Sequence, residues 1–127
     1  MDRIERWIKR SLASAVAAGI GQWADSPESA LGKRIYQVTD GPMTLVLSQL
    51  GFTYDGAPRS FECRYDEVEA VELTPLVEFM RLRGDLSKIV TTGIILRGVT
   101  ERLELQLPLA VYSSVVTVLF RIVKESA

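Results

Sequence analysis

Glu101-Arg102-Leu103-Glu104-Leu105-Gln106-Leu107 alternates without a fault, with Leu103, Leu105 and Leu107 on one side and Arg102, Glu104 and Gln106 on the other. Successive side chains of a strand point to opposite faces, so this run predicts a strand with one face buried and one wet. Pro108 follows, a residue suited to the first turn of a helix, and the spacing then changes. Val111, Tyr112, Val115, Val116, Val118, Leu119, Phe120, Ile122 and Val123 sweep roughly 200° of a helical wheel, about twice a minimal core-facing stripe. One sheet cannot cover that arc. The N-terminal helix or another subunit must supply a second neighbour, because an exposed stripe of this size is an association site. Arg121 and Lys124 suit the negative end of the helix dipole.

Upstream of this strand-helix pair the chain reads as a succession of short strands. Ile35 to Val38 is one, and Asp40-Gly41-Pro42 is a strong turn signal. Leu45 to Ser48 pairs with Phe52 to Tyr54 across Gln49-Leu50-Gly51, and Asp55-Gly56-Ala57-Pro58 makes the next turn. In Ser60 to Tyr65, Phe61, Cys63 and Tyr65 point one way and Glu62 and Arg64 the other. Cys63 therefore reads as a core residue, with no histidine to activate it. Two acids break the phase after Tyr65, which predicts a turn or bulge around Asp66 to Ala70. Further strands are expected at Val71 to Leu73, Val77 to Arg83 and Lys88 to Arg97, the last covered on both faces at Ile94, Ile95 and Leu96.

The N-terminal segment has a different period. Ile4, Ile8, Leu12, Ala15, Val16, Gly19, Ile20 and Trp23 fall on one side of a helical wheel, and Arg3, Arg6 and Arg10 gather opposite. This predicts an amphipathic helix over Ile4 to Trp23, ended by Pro27 with its serines, with a second break at Gly32. The uncharged run from Ser11 to Ala24 is too short for a membrane span. Asp2 and Glu5 interrupt the basic stretch before it, and no small-x-small cleavage site precedes Asp25, so the run reads as structure rather than a secretory signal.

Composition sets outer bounds. The 127 residues, 47% hydrophobic and 24% charged, suit one compact domain with a sizeable core. A net charge of −1 gives no global attraction to nucleic acid or anionic lipid, so either would need a local patch, and no nucleic acid is expected as a partner. The absence of histidine removes the commonest general base and metal ligand, and a single cysteine excludes an internal disulfide. No metal, cofactor or catalytic residue is assigned. Glu62, Asp66, Glu67, Glu69 and Glu72 read as a solvated strand edge rather than paired catalytic carboxylates. Arg83-Gly84-Asp85 is ordinary turn chemistry, and Gly19-Ile20-Gly21 lacks the preceding strand of a phosphate loop.

Leu45-Val46-Leu47-Ser48, Gly51-Phe52-Thr53-Tyr54 and the run Phe61 to Leu73, with its Tyr65-Asp66-Glu67-Val68 corner, together resemble the bacterial branch of the pleckstrin-homology-like superfold. The resemblance covers residues 32–127 and leaves 1–31 as a helix and linker. It implies an α+β fold in which a bent antiparallel sheet, or partly open barrel, of about seven strands is capped by the C-terminal helix. Domains of that kind mostly bind lipid headgroups, peptides or proteins. The expectation is thus a non-catalytic, cytoplasmic interaction module. It self-associates as a homo-oligomer or docks a protein partner through apolar helix faces, anchored by Trp7, Trp23, Tyr112, Val116 and Phe120. The alternative is a membrane-surface or headgroup binder using Lys33, Arg34, Arg81 and Arg83; a small enzyme working with carboxylates stands third.

Overall fold

The computed structural model describes residues 3–24, 30–57, 59–72, 89–98, 100 and 102–126. The fold is α+β. Helix α1 (Arg3–Ala17) leads through β1 (Gln22–Trp23) into β2 (Arg34–Asp40), β3 (Met43–Ser48), β4 (Gly51–Asp55) and β5 (Phe61–Arg64). A 3-10 turn (Tyr65–Glu67) precedes β6 (Val68–Val71), β7 (Ile89–Leu96) and β8 (Arg102–Pro108), and the chain ends in α2 (Leu109–Ser126). The strands form two antiparallel sheets, β1-β2-β3-β4-β5 and β6-β7-β8, with no strand pairing between them among the described residues. Among the described residues there are eight strands, in two sheets that do not close into a barrel, where about seven were expected. The expected strand at Val77 to Arg83 lies outside the described residues.

The turns follow from local chemistry. Asp40 pairs with Met43 across a two-residue loop, and Gly41 at φ +59° supplies the left-handed first position that such hairpins demand. The register of β2 shifts between Arg34 and Tyr36, the mark of a bulge. That extra residue puts Ile35 and Tyr36, neighbours in sequence, both in the core. A second irregularity between Val68 and Ala70 does the same for Val68 and Val71, whose spacing of three would otherwise place them on opposite faces. At the corner before β6, the Tyr65 hydroxyl donates to the Ser48 carbonyl at 2.7 Å, and the Arg64 amide donates to Glu67 Oε1 at 2.9 Å. The phase break foreseen around Asp66 to Ala70 is therefore a 3-10 turn followed by a bulge.

Three expectations need correction. The N-terminal helix stops at Ala17, not Trp23, because Gly19 and Gly21 take φ values of +81° and +77°. Gly21 also lies so close to Tyr36 that a Cβ there would fall 2.2 Å from the phenol oxygen. The chain turns back, and Gln22 and Trp23 pair with Gln37 and Tyr36 as an edge strand. Pro108 ends β8, paired with Ile89, and the helix starts one residue later. On β7, Ile94 is fully buried but Ile95 and Leu96 are only partly so, so that strand is not covered on both faces.

One hydrophobic cluster joins both helices to both sheets. Ile8 and Leu12 of α1 and Val111, Val115 and Ile122 of α2 have no exposed surface, alongside Leu45, Leu47, Ile94 and Leu105 from the strands. Each fully buried aliphatic side chain of this kind contributes about 1.5–3 kcal/mol. The wide arc of α2 thus finds its second neighbour in the same chain: α1 packs along it. Tyr112 and Val116 are 3% exposed, and Phe120 is 46% exposed.

Because α1 is part of the core, Leu12→Ala is expected to destabilise the whole fold by about 2–5 kcal/mol. Gly21→Ala is expected to cost at least about 1 kcal/mol through its positive φ and the Tyr36 overlap. Chemical denaturation of each variant, followed by tryptophan emission and by circular dichroism, checks both; coincident transitions show that α1 unfolds with the sheets.

Candidate functional site

The turn that ends α1 also builds a cleft. The Tyr36 hydroxyl donates to the Ile20 carbonyl at 2.9 Å, and the Ala24 amide donates to the Ile35 carbonyl at 2.8 Å, so β1 is pinned along the start of β2. Burial pushes the Tyr36 phenol up to about 12, so it stays a neutral donor throughout the physiological range. The Trp23 ring stands edge-on to Tyr36, centroids 6.0 Å apart at 70°, a favourable aromatic geometry that leaves the indole 36% exposed.

Cations gather around this indole. Lys9 Nζ lies 6.0 Å from the Trp23 ring centroid. Lys9 and Lys33 both reach the same carboxylate oxygen, Glu5 Oε2, at 3.2 and 2.9 Å. Glu5 is buried, 7% exposed, while the side chains of Lys33 and Lys9 remain about half and two-fifths exposed. The hydrogen bond from Lys33 is the main reason the Glu5 carboxyl is held below the usual carboxylate range; burial opposes it and Lys9 assists. Arg34 is exposed at the head of β2 and makes no ion pair among the described residues. Together Glu5, Lys9, Trp23, Ala24, Lys33, Arg34 and Ile35 line a cleft of about 350 Å³.

Such a cleft offers a flat apolar surface beside one free guanidinium and two ammonium groups that share a single buried counter-charge. It suits an anionic group attached to an apolar one. A second crevice, about 230 Å³, is lined by Met43, Tyr54, Ile89 and Gln106 where the two sheets meet. There the Tyr54 hydroxyl donates to the Ala57 carbonyl and accepts from the Gln106 amide at 3.2 Å, so its polar group is already used.

The sequence-predicted anchors are dispersed. Trp7, Tyr112 and Val116 lie in the chain's own core, whereas Trp23 and Phe120 are exposed. Trp7 has Arg3 on its ring at 5.1 Å and Arg121 at 4.3 Å, so cations from both helices meet over one indole. Lys33 and Arg34 do come together, with Trp23; Arg81 and Arg83 lie outside the described residues. Glu5 and Lys9 were not singled out from the sequence. The signal for Glu5 was there, since at 100° per residue it falls between Leu12 and Val16 on the apolar side of the wheel.

Elsewhere, Cys63 is buried and its thiol is pushed up to about 12, chiefly by desolvation. The acidic run is solvent-facing: Arg64 lies 3.4 Å from Asp66, and Arg102 bridges Glu72 at 2.6 Å and Glu104 at 2.5 Å. Among the described residues no three His, Cys, Asp or Glu groups converge as a metal site. Comparison of the chain with protein-family models, with curated proteins and with solved structures gives no match.

A carboxyl whose folded pKa is depressed contributes stability that is present above its unfolded value, about 4.3, and is lost as pH falls through the folded value. Glu5→Gln is therefore expected to lower stability at neutral pH, and the gap to the native chain is expected to close below about pH 4. Urea denaturation at both pH values checks this; a gap that persists unchanged in acid assigns Glu5 a packing role only.

Proposed function

We propose that this protein is a non-catalytic interaction module that docks an acidic protein segment in the Trp23 cleft. The observation that carries the reading is the convergence of an exposed indole with Lys9, Lys33 and Arg34 around one concavity. Tryptophan and arginine are the residues most often found at the energetic centres of interfaces. Arg34 presents a planar fork matched to a carboxylate, and Trp23 receives the apolar side chain beside it. The same chain exposes acids at Glu62, Asp66, Glu67 and Glu69, so a second copy is one partner able to fill the cleft.

The framework is read as pleckstrin-homology-like. Support comes from the antiparallel meander β2 to β5, the Tyr65 corner into β6, and a last strand running directly into a C-terminal helix. No helix among the described residues is long and apolar enough to cross a membrane. A buried free thiol suits a reducing cytoplasm. Lys33 and Arg34 are also the described half of the headgroup alternative, and a bare phosphate on that pair is its competing outcome.

A Trp7→Phe variant leaves Trp23 as the sole tryptophan and makes its emission a direct report on the cleft. Titration with a synthetic Glu- and Asp-rich peptide carrying one phenylalanine is expected to shift that emission, and Arg34→Glu to weaken the effect on the order of tenfold. Inorganic phosphate at equal charge is expected to leave it unchanged. A shift with phosphate and none with the peptide overturns the protein-docking reading in favour of the headgroup one. Sedimentation over a range of concentrations tells whether a second copy competes with the peptide.

A further inference from the structure

The outer face of the helical layer carries charge that the cleft does not use. Arg3, Arg6 and Arg10 on α1 and Arg121 and Lys124 on α2 are all exposed. None of the five makes an ion pair with a described residue. The two helices contain six Lys and Arg against two acids, a net charge of +4. The whole chain carries −1, so everything outside the helices sums to −5. Among the described residues the helices sum to +4 and the remainder, with six basic and eight acidic side chains, to −2, so the helical side is the more positive one. Of the two helical acids, Glu5 is buried against Lys9 and Lys33, so Glu125 alone opposes the outer cations.

The layer is also held in place. Arg3 and Arg121 lie 5.1 and 4.3 Å from the ring of Trp7, so the basic stripes of α1 and α2 meet at a fixed seam. On α2, Thr117, Phe120, Arg121 and Lys124 form one solvent-facing stripe at helical spacing, and Phe120 is a large apolar side chain left 46% exposed within it.

We propose that this face docks the protein peripherally on an anionic lipid bilayer, with α1 and α2 lying along the surface. The helices of 15 and 18 residues run about 22 and 27 Å, and Arg3 and Arg121 on one indole join their basic stripes into one face to set against a charged surface. Each basic residue so placed raises partitioning on anionic lipid about fivefold. Phe120 decides between a membrane and a nucleic acid as the occupant. A bilayer gives its ring an apolar boundary to enter beneath the headgroups, whereas a row of phosphates gives it no equivalent. The docking uses electrostatics and one aromatic side chain, since the apolar faces of both helices are committed to the core. It leaves the Trp23 cleft, which Lys9 and not the arginine stripe borders, available to a partner.

The test is co-sedimentation of the full chain with vesicles of phosphatidylcholine alone or with about one-third phosphatidylserine, at about 0.05 M and about 0.5 M ionic strength. Retention is expected on the anionic vesicles only, with release at the higher salt. The doubly substituted Arg6→Gln, Arg10→Gln chain, whose changes are both at exposed positions and whose fold is checked by circular dichroism, is expected to partition on the order of 25-fold less. Phe120→Ser is expected to weaken retention further at matched charge. Equal retention on neutral vesicles, retention unaffected by the double substitution, or no retention at low salt overturns the proposal. Binding to a duplex oligonucleotide under conditions where the anionic vesicles fail to retain the chain assigns the face to nucleic acid instead.

Discussion

The apolar arc of α2 sets the terms for the rest of the molecule. Val111, Val115, Val118, Leu119 and Ile122 are essentially without exposed surface, and no single sheet reaches around a helix buried over so much of its circumference. The chain meets this demand from opposite ends. The strands supply one flank, and α1 supplies another. Removing α1 leaves apolar surface bare on α2 and on β2 together, so an amphipathic segment that is marginal as an isolated helix becomes an obligatory part of the core.

Placing α1 there fixes where its charges go. Glu5 sits on the buried side and is held in the pair with Lys33, which ties the helix to the start of β2. A partly buried ion pair of this kind is weak evidence for stability, because desolvation of Glu5 offsets much of the attraction. Its geometric effect is clearer: the bond to Lys33 fixes where Glu5 sits along β2, and a helix slid by a turn along the core would carry the carboxylate away from Lys33, leaving it with Lys9 of its own helix. The same pairing fills one wall of the Trp23 cleft. Structural specificity and the candidate binding surface therefore share a residue.

The strands from Phe61 to Arg64 and from Arg102 to Leu107 were legible because alternation is a local property, whereas β6 (Val68–Val71) begins inside the stretch read as a turn or bulge, where its irregular register breaks the alternation; the need of α2 for a second neighbour was legible from its arc. The end of α1 was not. Gly19, Ile20 and Trp23 continue the helical spacing faithfully, and only positive φ at two glycines, with Tyr36 packed against the second, turns the chain into an edge strand. That decision is tertiary. It also explains why the cleft was invisible in the sequence: Trp23, Lys9 and Lys33 meet only after the chain has folded back. Trp7, Tyr112 and Val116 are large and apolar, and periodicity alone does not say whether such residues are buried by their own chain or by another.

The packing of α1 against α2 has a consequence for how the protein is made. A core shared by α1 and α2 cannot be completed until α2 has been synthesised. At about 5–20 residues per second, α1 waits on the order of ten seconds for its principal partner to emerge. Throughout that interval its apolar side has only nascent strands to rest on, and contacts of such long sequence separation are slow to form. The core thus closes only after α2 has left the ribosome, and a truncated chain lacking α2 has no intermediate at which the core is complete.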